Sequence, residues 1–386
     1  MTDLSDTTTL RSYFFWGQAA AEIAISLINN SPHILPNTTI NIKRFNTMPI
    51  NWRPLRPYYH SNSYGGGETI ATALEIAKNH PDVVAVVGEF FSESTVFSAE
   101  VYGYNKIPLC GATQTSSILL DKTRYPYFTQ TVPLTVQFEV FSSLLLFWNV
   151  NRVALISPRS LSGSNLCLAI AESLKRHKIE IVASIQSDAS VDEIGKSLLR
   201  ANARYIVICE GADTTADIYL GWEKTAVGRD FVWLSVNLPE PNGNIEAKYG
   251  KNFTQNAKGM VVFYTNTTTT SPMNLLFNQL VGQLVEEYGV GDYNTINNIV
   301  ATTIAMPMFD CVGNLVTGMD KLLKSDATFT PHLLSSRFIQ YLLNYTLFQN
   351  TGYQGIFVDP FMLTANGDVQ IRDAEYGSPT SRLWKD

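Results

Sequence analysis

Two hydroxyl-rich clusters and one glutamate in this chain stand just after short apolar runs, and their chemistry is that of hydrogen bonding to a small ligand. Ser92 and Ser94 follow Val83–Val87 and the tetrapeptide GEFF; Thr113, Gln114 and Thr115 follow Ile107–Cys110. Hydroxyl and amide groups that open a helix lie beside unpaired backbone N–H groups and the positive end of the helix dipole, a setting that suits a carboxylate. N-capping is the commoner use of any single Ser or Thr there, but two matched clusters on successive units put ligand binding level with it. Glu210 comes straight after Tyr205–Cys209. Its carboxylate fits a ligand ammonium as well as it fits a solvated loop. Asn237 and the turn Ser157–Ser162 occupy analogous places with less support.

Catalytic chemistry is poorly represented. Gly65–Gly67 lacks the Lys and the spacing of a phosphate loop, and Ser162–Gly163–Ser164 is not the GxSxG of a nucleophile elbow. The five His residues form no HExxH or HxxxH pattern. No catalytic residue, metal site or cofactor is therefore expected. Cys110, Cys167, Cys209 and Cys311 are far apart in sequence, three of them within apolar patterns, which predicts buried free thiols. A net charge of −6 without a basic stripe excludes a nucleic-acid surface. Five N-x-S/T sequons, at Asn29, Asn37, Asn252, Asn266 and Asn344, permit a secreted setting without arguing for one. The N-terminal MTDLSDTTTL lacks a basic-then-apolar leader, and Ile296–Met319, the best apolar stretch, is interrupted by Asn297, Asn298, Asp310 and Asn314. It reads as a buried amphipathic helix.

The elements that must position these residues alternate in type. Helical periodicity covers Gln18–Ile28, Glu68–Asn79, Ser94–Tyr104, Val136–Trp148, Asn165–His177, Val191–Arg200, Thr214–Thr225, Leu275–Tyr288, Ile296–Lys324 and Leu333–Asn344. Strand patterns fall at Ile40–Phe45, Val83–Val87, Ile107–Leu109, Phe128–Val132, Arg152–Ser157, Glu180–Ile185, Tyr205–Cys209, Phe231–Ser235 and Gly259–Tyr264, with a closing hairpin turned at Asn366–Gly367. Such β-α alternation predicts an α/β fold, parallel sheets flanked by helices, with the polar clusters at the strands' carboxyl ends. At 386 residues the chain exceeds one ordinary core, so two lobes are expected.

Several segments in order carry a resemblance: VVAVVGEFFSES, IPLCGATQTSSIL, RYPYFTQTVP, NARYIVICEGADTTADIY, DFVWLSVN and the closing YQGIFVDPFMLTANGDVQIRDAEY. Together they resemble the ligand-binding region of class C G-protein-coupled receptors, natriuretic-peptide receptors and leucine-type binding proteins. HILPNTTINI and NARYIVICEG look closest to metabotropic GABA (type B) subunits. The resemblance implies a periplasmic-binding-protein type I flytrap, lobe 1 being residues 1–130 plus 266–352 and lobe 2 being 131–265 plus 353–386. It implies an extracellular, non-catalytic receptor domain that closes on an amino-acid-like ligand in an interlobe cleft. A dimer through lobe 1 and a transmembrane signalling module outside the chain are also implied. The binding residues would be Ser92, Thr113, Gln114 and Thr115 on lobe 1, with Glu210 and Asn237 on lobe 2. The family's first carboxylate-holding seryl falls on Phe91 beside Ser92, the second on Thr113 or Gln114, and the second-lobe aromatic on Glu210. Phe90 stands where the family has a cysteine, so its usual disulfide is not expected. The family's first apolar strand has no counterpart in MTDLSDTTTLRSYFFWGQ, so the central strand of lobe 1 is expected to be missing or replaced. A soluble solute-binding protein of a transporter shares the fold, and a non-binding dimerisation subunit is the other alternative.

Overall fold

The computed structural model describes residues 9–47, 66–89, 91–114, 116–133, 135–158, 161–210, 215, 218, 231–235, 260–262, 271–288 and 304–370. The chain divides into two units, Met1–Leu134 with Thr267–Arg372 and Thr135–Asn266 with Asp373–Asp386. Unit 1 contains α1 (Thr9–Asn29), α2 (Gly66–Asn79), β1 (Val86–Val87), α3 (Ser92–Tyr104), β2 (Leu109–Gly111) and β3 (Phe128–Gln130). Unit 2 contains α4 (Thr135–Phe147), β4 (Arg152–Ser157), α5 (Leu161–Arg176), β5 (Glu180–Gln186), α6 (Val191–Ala201), β6 (Tyr205–Ile208), β7 (Val232–Ser235) and β8 (Met260–Val262). The chain then gives unit 1 α7 (Pro272–Tyr288), α8 (Met306–Ser325) and the short α9 (Pro331–Ser335). Both sheets are wholly parallel, in the orders β1-β2-β3 and β5-β4-β6-β7-β8. The α/β class read from the alternation is the class observed.

The core of unit 1 forms around α8. That helix is buried along most of its length, from Met306 to Asp320, and it carries Asp310, Asn314 and Asp320 inward with its apolar residues. Helix α1 lays Trp16, Ala20, Ile23, Ala24 and Ile28 into the same core, at the three- and four-residue spacing of a single helical face. Segment 353–370, expected in the second lobe, belongs to unit 1. Asp310 of α8 accepts from the Tyr353 hydroxyl at 2.8 Å and from the N–H groups of Ile356 and Phe357 at 2.8 and 2.9 Å. Ile356, Phe361, Leu363 and Val369 then enter the core beside it. The hairpin turn predicted at Asn366–Gly367 is present, with Leu363 bridging Val369 and Gly367 at φ 73°.

The cysteine expectation is overturned. Cys110 at β2 is bonded to Cys311 of α8, and Cys167 of α5 to Cys209 just beyond β6, with Cα–Cα separations of 5.6 and 5.5 Å. Burial was correctly implied by the apolar surroundings. Pairing was not, because the partners are 201 and 42 residues apart and meet only once each unit has folded.

Three expected elements differ for local reasons. Of Val83–Val87 only Val86 and Val87 form ladder bonds; β1 lies at one end of its sheet, with no further strand beside it among the described residues. Ile40–Phe45 is not a strand. Its backbone is held instead by the side chain of Asn29, whose amide donates to the Ile40 carbonyl and accepts from the Ile40 N–H, both at 2.9 Å. The helix expected over Leu333–Asn344 stops at Ser335. Arg337 takes φ 63°, and Phe338 N–H returns to the Leu333 carbonyl at 3.0 Å, the bonding of a Schellman turn. What holds an arginine in that conformation is its guanidinium, which donates to the carbonyls of Ile76, Ala77 and His80 and so closes the C-terminus of α2. Most of the helix expected over Thr214–Thr225, and the start of the one expected over Ile296–Lys324, lie outside the described residues.

Both bridges predict that maleimide labelling of the denatured, unreduced chain finds no free thiol, and four only after reduction. Replacing Cys110 and Cys311 by Ser should lower stability by about 3–5 kcal/mol in a denaturant titration, because a long loop is released. Labelling without reductant would contradict the pairing.

Candidate functional site

In unit 1 the parallel register of β1 and β2, Val86 beside Leu109 and Val87 beside Cys110, brings the turns after both strands to one edge of the sheet. The turns are cross-linked by Gln114. Its amide donates to the Glu89 carbonyl and to Thr95 Oγ1, the latter at 3.0 Å, while its Oε1 accepts from Thr113 N–H at 3.1 Å. Gln114 is fully buried, and Gly111 makes room for it: a Cβ on that residue would sit 2.1 Å from Gln114 Oε1.

The first residues of α3 are used differently from a cap. Phe91 occupies the cap position in extended conformation, with no side-chain hydrogen bond to the helix N–H groups. Ser94 and Thr95 direct their hydroxyls back to the Phe91 carbonyl, at 3.0 and 2.8 Å. Ser92 is buried at the first turn and Thr113 is half-buried. Of the residues singled out in this unit, Ser92, Thr113 and Gln114 therefore gather at one strand-end edge, whereas Thr115 lies outside the described residues.

Sequence reasoning missed Glu89. It sits 8% exposed at the end of β1, and burial pushes its carboxyl up to about 7 against hydrogen bonds from Thr47 and Ser98. The same loss of solvent lifts the Tyr102 phenol beside it, helped by the charge of Glu89. The signal was legible, since Glu89 follows an apolar strand just as Glu210 does.

In unit 2, β4 and β6 are adjacent and parallel, and the residues beyond β5 and β6 meet. Glu210 is half-buried there, with Ser187 donating its hydroxyl to the Glu210 carboxylate and Thr215 Oγ1 donating to the Glu210 carbonyl at 3.3 Å. Ser187 was not foreseen; its N–H is fixed by the Ser157 carbonyl at 3.0 Å. The next helix, α6, satisfies its own N-terminus through a capping box between Ser190 and Glu193. Glu210 and Ser187 are thus paired polar groups at this edge. Asn237 lies outside the described residues.

These two parallel sheets with polar strand ends have known counterparts. Residues 17–371 match the receptor family ligand binding region. The chain belongs to that family. Among curated relatives, the metabotropic glutamate receptor of Drosophila melanogaster is 25% identical over 237 residues, covering 55% of this chain and 24% of the receptor. The taste receptor type 1 member 2 of Mus musculus is 24% identical over 242 residues, covering 56% and 27%. The chain thus spans about a quarter of the length of these relatives. Among solved structures, an ABC transporter substrate-binding protein from Desulfitobacterium hafniense aligns with TM-score 0.64 at 15% identity, covering 92% of this chain and 90% of that one. A structure of such a protein from the same organism in complex with Leu aligns at 0.62 and 16%, with the same coverage. These likenesses establish the periplasmic-binding-protein type I fold. The class C receptors among the relatives agree with the resemblance read from the sequence.

Glu89 gives this receptor-family domain a testable pH dependence. Below its unfolded value of 4.5 the acid is protonated in both states and contributes nothing. From there to about 7 the unfolded chain ionises while the folded chain resists, so stability falls as pH rises, by up to about 3 kcal/mol. Glu89→Gln removes that loss. The melting temperature of the variant should gain on the wild type progressively between pH 4.5 and 7; a difference that stays constant across this range would contradict the burial of the acid.

Proposed function

We propose that the chain is the extracellular ligand-binding region of a membrane receptor, taking a small amino-acid-like ligand on its strand-end turns and reporting it by closure of its two lobes. The carrying observation is the family match over residues 17–371, joined to polar side chains at the strands' carboxyl ends in each unit. On this reading Ser92, Thr113 and Thr115 hold the ligand on lobe 1, with Glu210 and Asn237 on lobe 2. Gln114 shapes the site, since its own amide already links the two turns. Thr113 and the first turn of α3 offer hydrogen bonds to a carboxylate, and Glu210 offers a partner for an ammonium. Closure selects the lobe arrangement with which the ligand makes more contacts, as in any two-state hinge.

An extracellular position is supported by the two disulfides, which persist in oxidising compartments. Among the described residues no helix is long and apolar enough to cross a membrane, so the transmembrane signalling module is proposed to lie outside this chain. Dimerisation through lobe 1 is supported by Leu74 on α2 and by Phe97 and Tyr104 on α3, large apolar side chains left exposed on two helices that pack together. On this reading the ligand is a small amino acid or a related amine, which the Leu-bound structure among the fold neighbours supports. A soluble substrate-binding protein of a transporter is the second reading, favoured by the fold of the Desulfitobacterium proteins.

Thermal-shift measurements on the oxidised chain against amino acids and amines test the proposal. A ligand present at a hundred times its Kd should add about 2.7 kcal/mol of stability. Thr113→Ala with Thr115→Ala, and separately Glu210→Ala, should each weaken that ligand by tenfold or more. If no compound raises the melting temperature, the domain is a dimerisation subunit rather than a sensor.

A further inference from the structure

Two sequons stand close together where the chain leaves α1, Asn29-Asn30-Ser31 and Asn37-Thr38-Thr39, and their side chains are in opposite conditions. We infer that Asn37 is an N-glycan acceptor and that Asn29 is closed to glycosylation. This rests on the extracellular reading above and goes beyond it by naming which asparagine carries sugar.

Asn29 uses one edge of its amide twice, donating from Nδ2 to the Ile40 carbonyl and accepting at Oδ1 from the Ile40 N–H. An N-linked sugar turns Nδ2 into a secondary amide, and the preferred trans geometry places the sugar carbon on the same side as Oδ1. That is the side Ile40 occupies. A glycan attached there before folding would keep Ile40 from pairing, and the segment after α1 would lose the contact that takes the place of a strand ladder.

Asn37 is exposed, and its side-chain amide has no hydrogen-bond partner among the described residues. It sits at φ 64° in the turn Leu35–Thr38, which Thr38 N–H closes on the Leu35 carbonyl at 3.0 Å. Pro36 before it and a left-handed Asn are the residues of a type II turn. The turn is fastened to the end of α8, with Leu35 N–H donating to Asp320 Oδ1 and Lys324 Nζ donating to the His33 carbonyl, both at 2.9 Å. Asn37 is thus held outward by a fixed turn. Asn344 differs again: its Oδ1 accepts from both the N–H and the hydroxyl of Thr346, the sequon's own threonine.

In the transfer, Nδ2 of Asn37 forms a bond to C1 of a lipid-linked oligosaccharide diphosphate. The C1–O bond to the diphosphate breaks, the lipid diphosphate leaves with the electron pair, and the amide nitrogen gives up one proton.

The test is to secrete the full chain behind a heterologous leader, remove glycans with an amidase in heavy-oxygen water, and sequence the peptides by mass spectrometry. Heavy Asp is expected at position 37 and not at 29, and Thr39→Ala should remove one glycan while Ser31→Ala removes none. Heavy Asp at 29, or an unmarked 37 in a secreted chain whose two disulfides are formed, overturns the inference and leaves the receptor reading intact. A chain that remains reduced and unglycosylated overturns both.

Discussion

Unit 1 depends on a helix that is buried almost throughout from Met306 to Asp320. Helix α8 carries Asp310, Asn314 and Cys311 into an otherwise apolar interior, and each is matched to a partner. Asp310 is the costly one, because burial pushes its carboxyl up to about 7 against the Tyr353 hydroxyl and the N–H groups of Ile356, Phe357 and Val358. Those donors belong to 353–358, so the same carboxylate that must be satisfied also determines that the late segment folds back on unit 1. Asn314 does likewise with the Phe348 carbonyl and the Thr351 hydroxyl. Thr131 closes the group, donating to the Pro307 carbonyl at 2.9 Å.

The candidate site inherits its rigidity from this arrangement. The Cys110–Cys311 bridge ties β2 to α8 immediately before the turn that holds Thr113 and Gln114. From there Gln114 carries the constraint to Glu89 and Thr95, so the two strand-end turns are fixed relative to each other before any ligand arrives. Pre-organised hydrogen-bonding groups lose less entropy on binding than mobile ones. In unit 2 the Cys167–Cys209 bridge stands next to Glu210 in the same way. Each disulfide ends beside a polar strand-end turn.

Much of this was legible from periodicity, which is dictated by local backbone geometry. The β-α alternation, the parallel sheets, the polar strand ends and the turn at Gly367 follow from residues close in sequence. What the sequence hid involves distant partners. The disulfides needed folded neighbours, and the ending of α9 at Ser335 needed the α2 carbonyls that attract Arg337. Gln114 was read as a ligand group, yet in the structure its side chain is occupied by Glu89, Thr95 and Thr113. The misplacement of 353–370 has the same origin, since nothing local in YQGIFVDPF announces Asp310. Glu89 is the exception, a local signal that went unread.

The central claim is that the turns after the strands form the ligand site. Amide hydrogen exchange, followed by mass spectrometry with and without a stabilising amino acid or amine, addresses it directly. The account predicts slowed exchange in peptides covering 88–95, 112–116 and 209–215. A ligand that stabilises the chain while leaving exchange in all three stretches unchanged would contradict it.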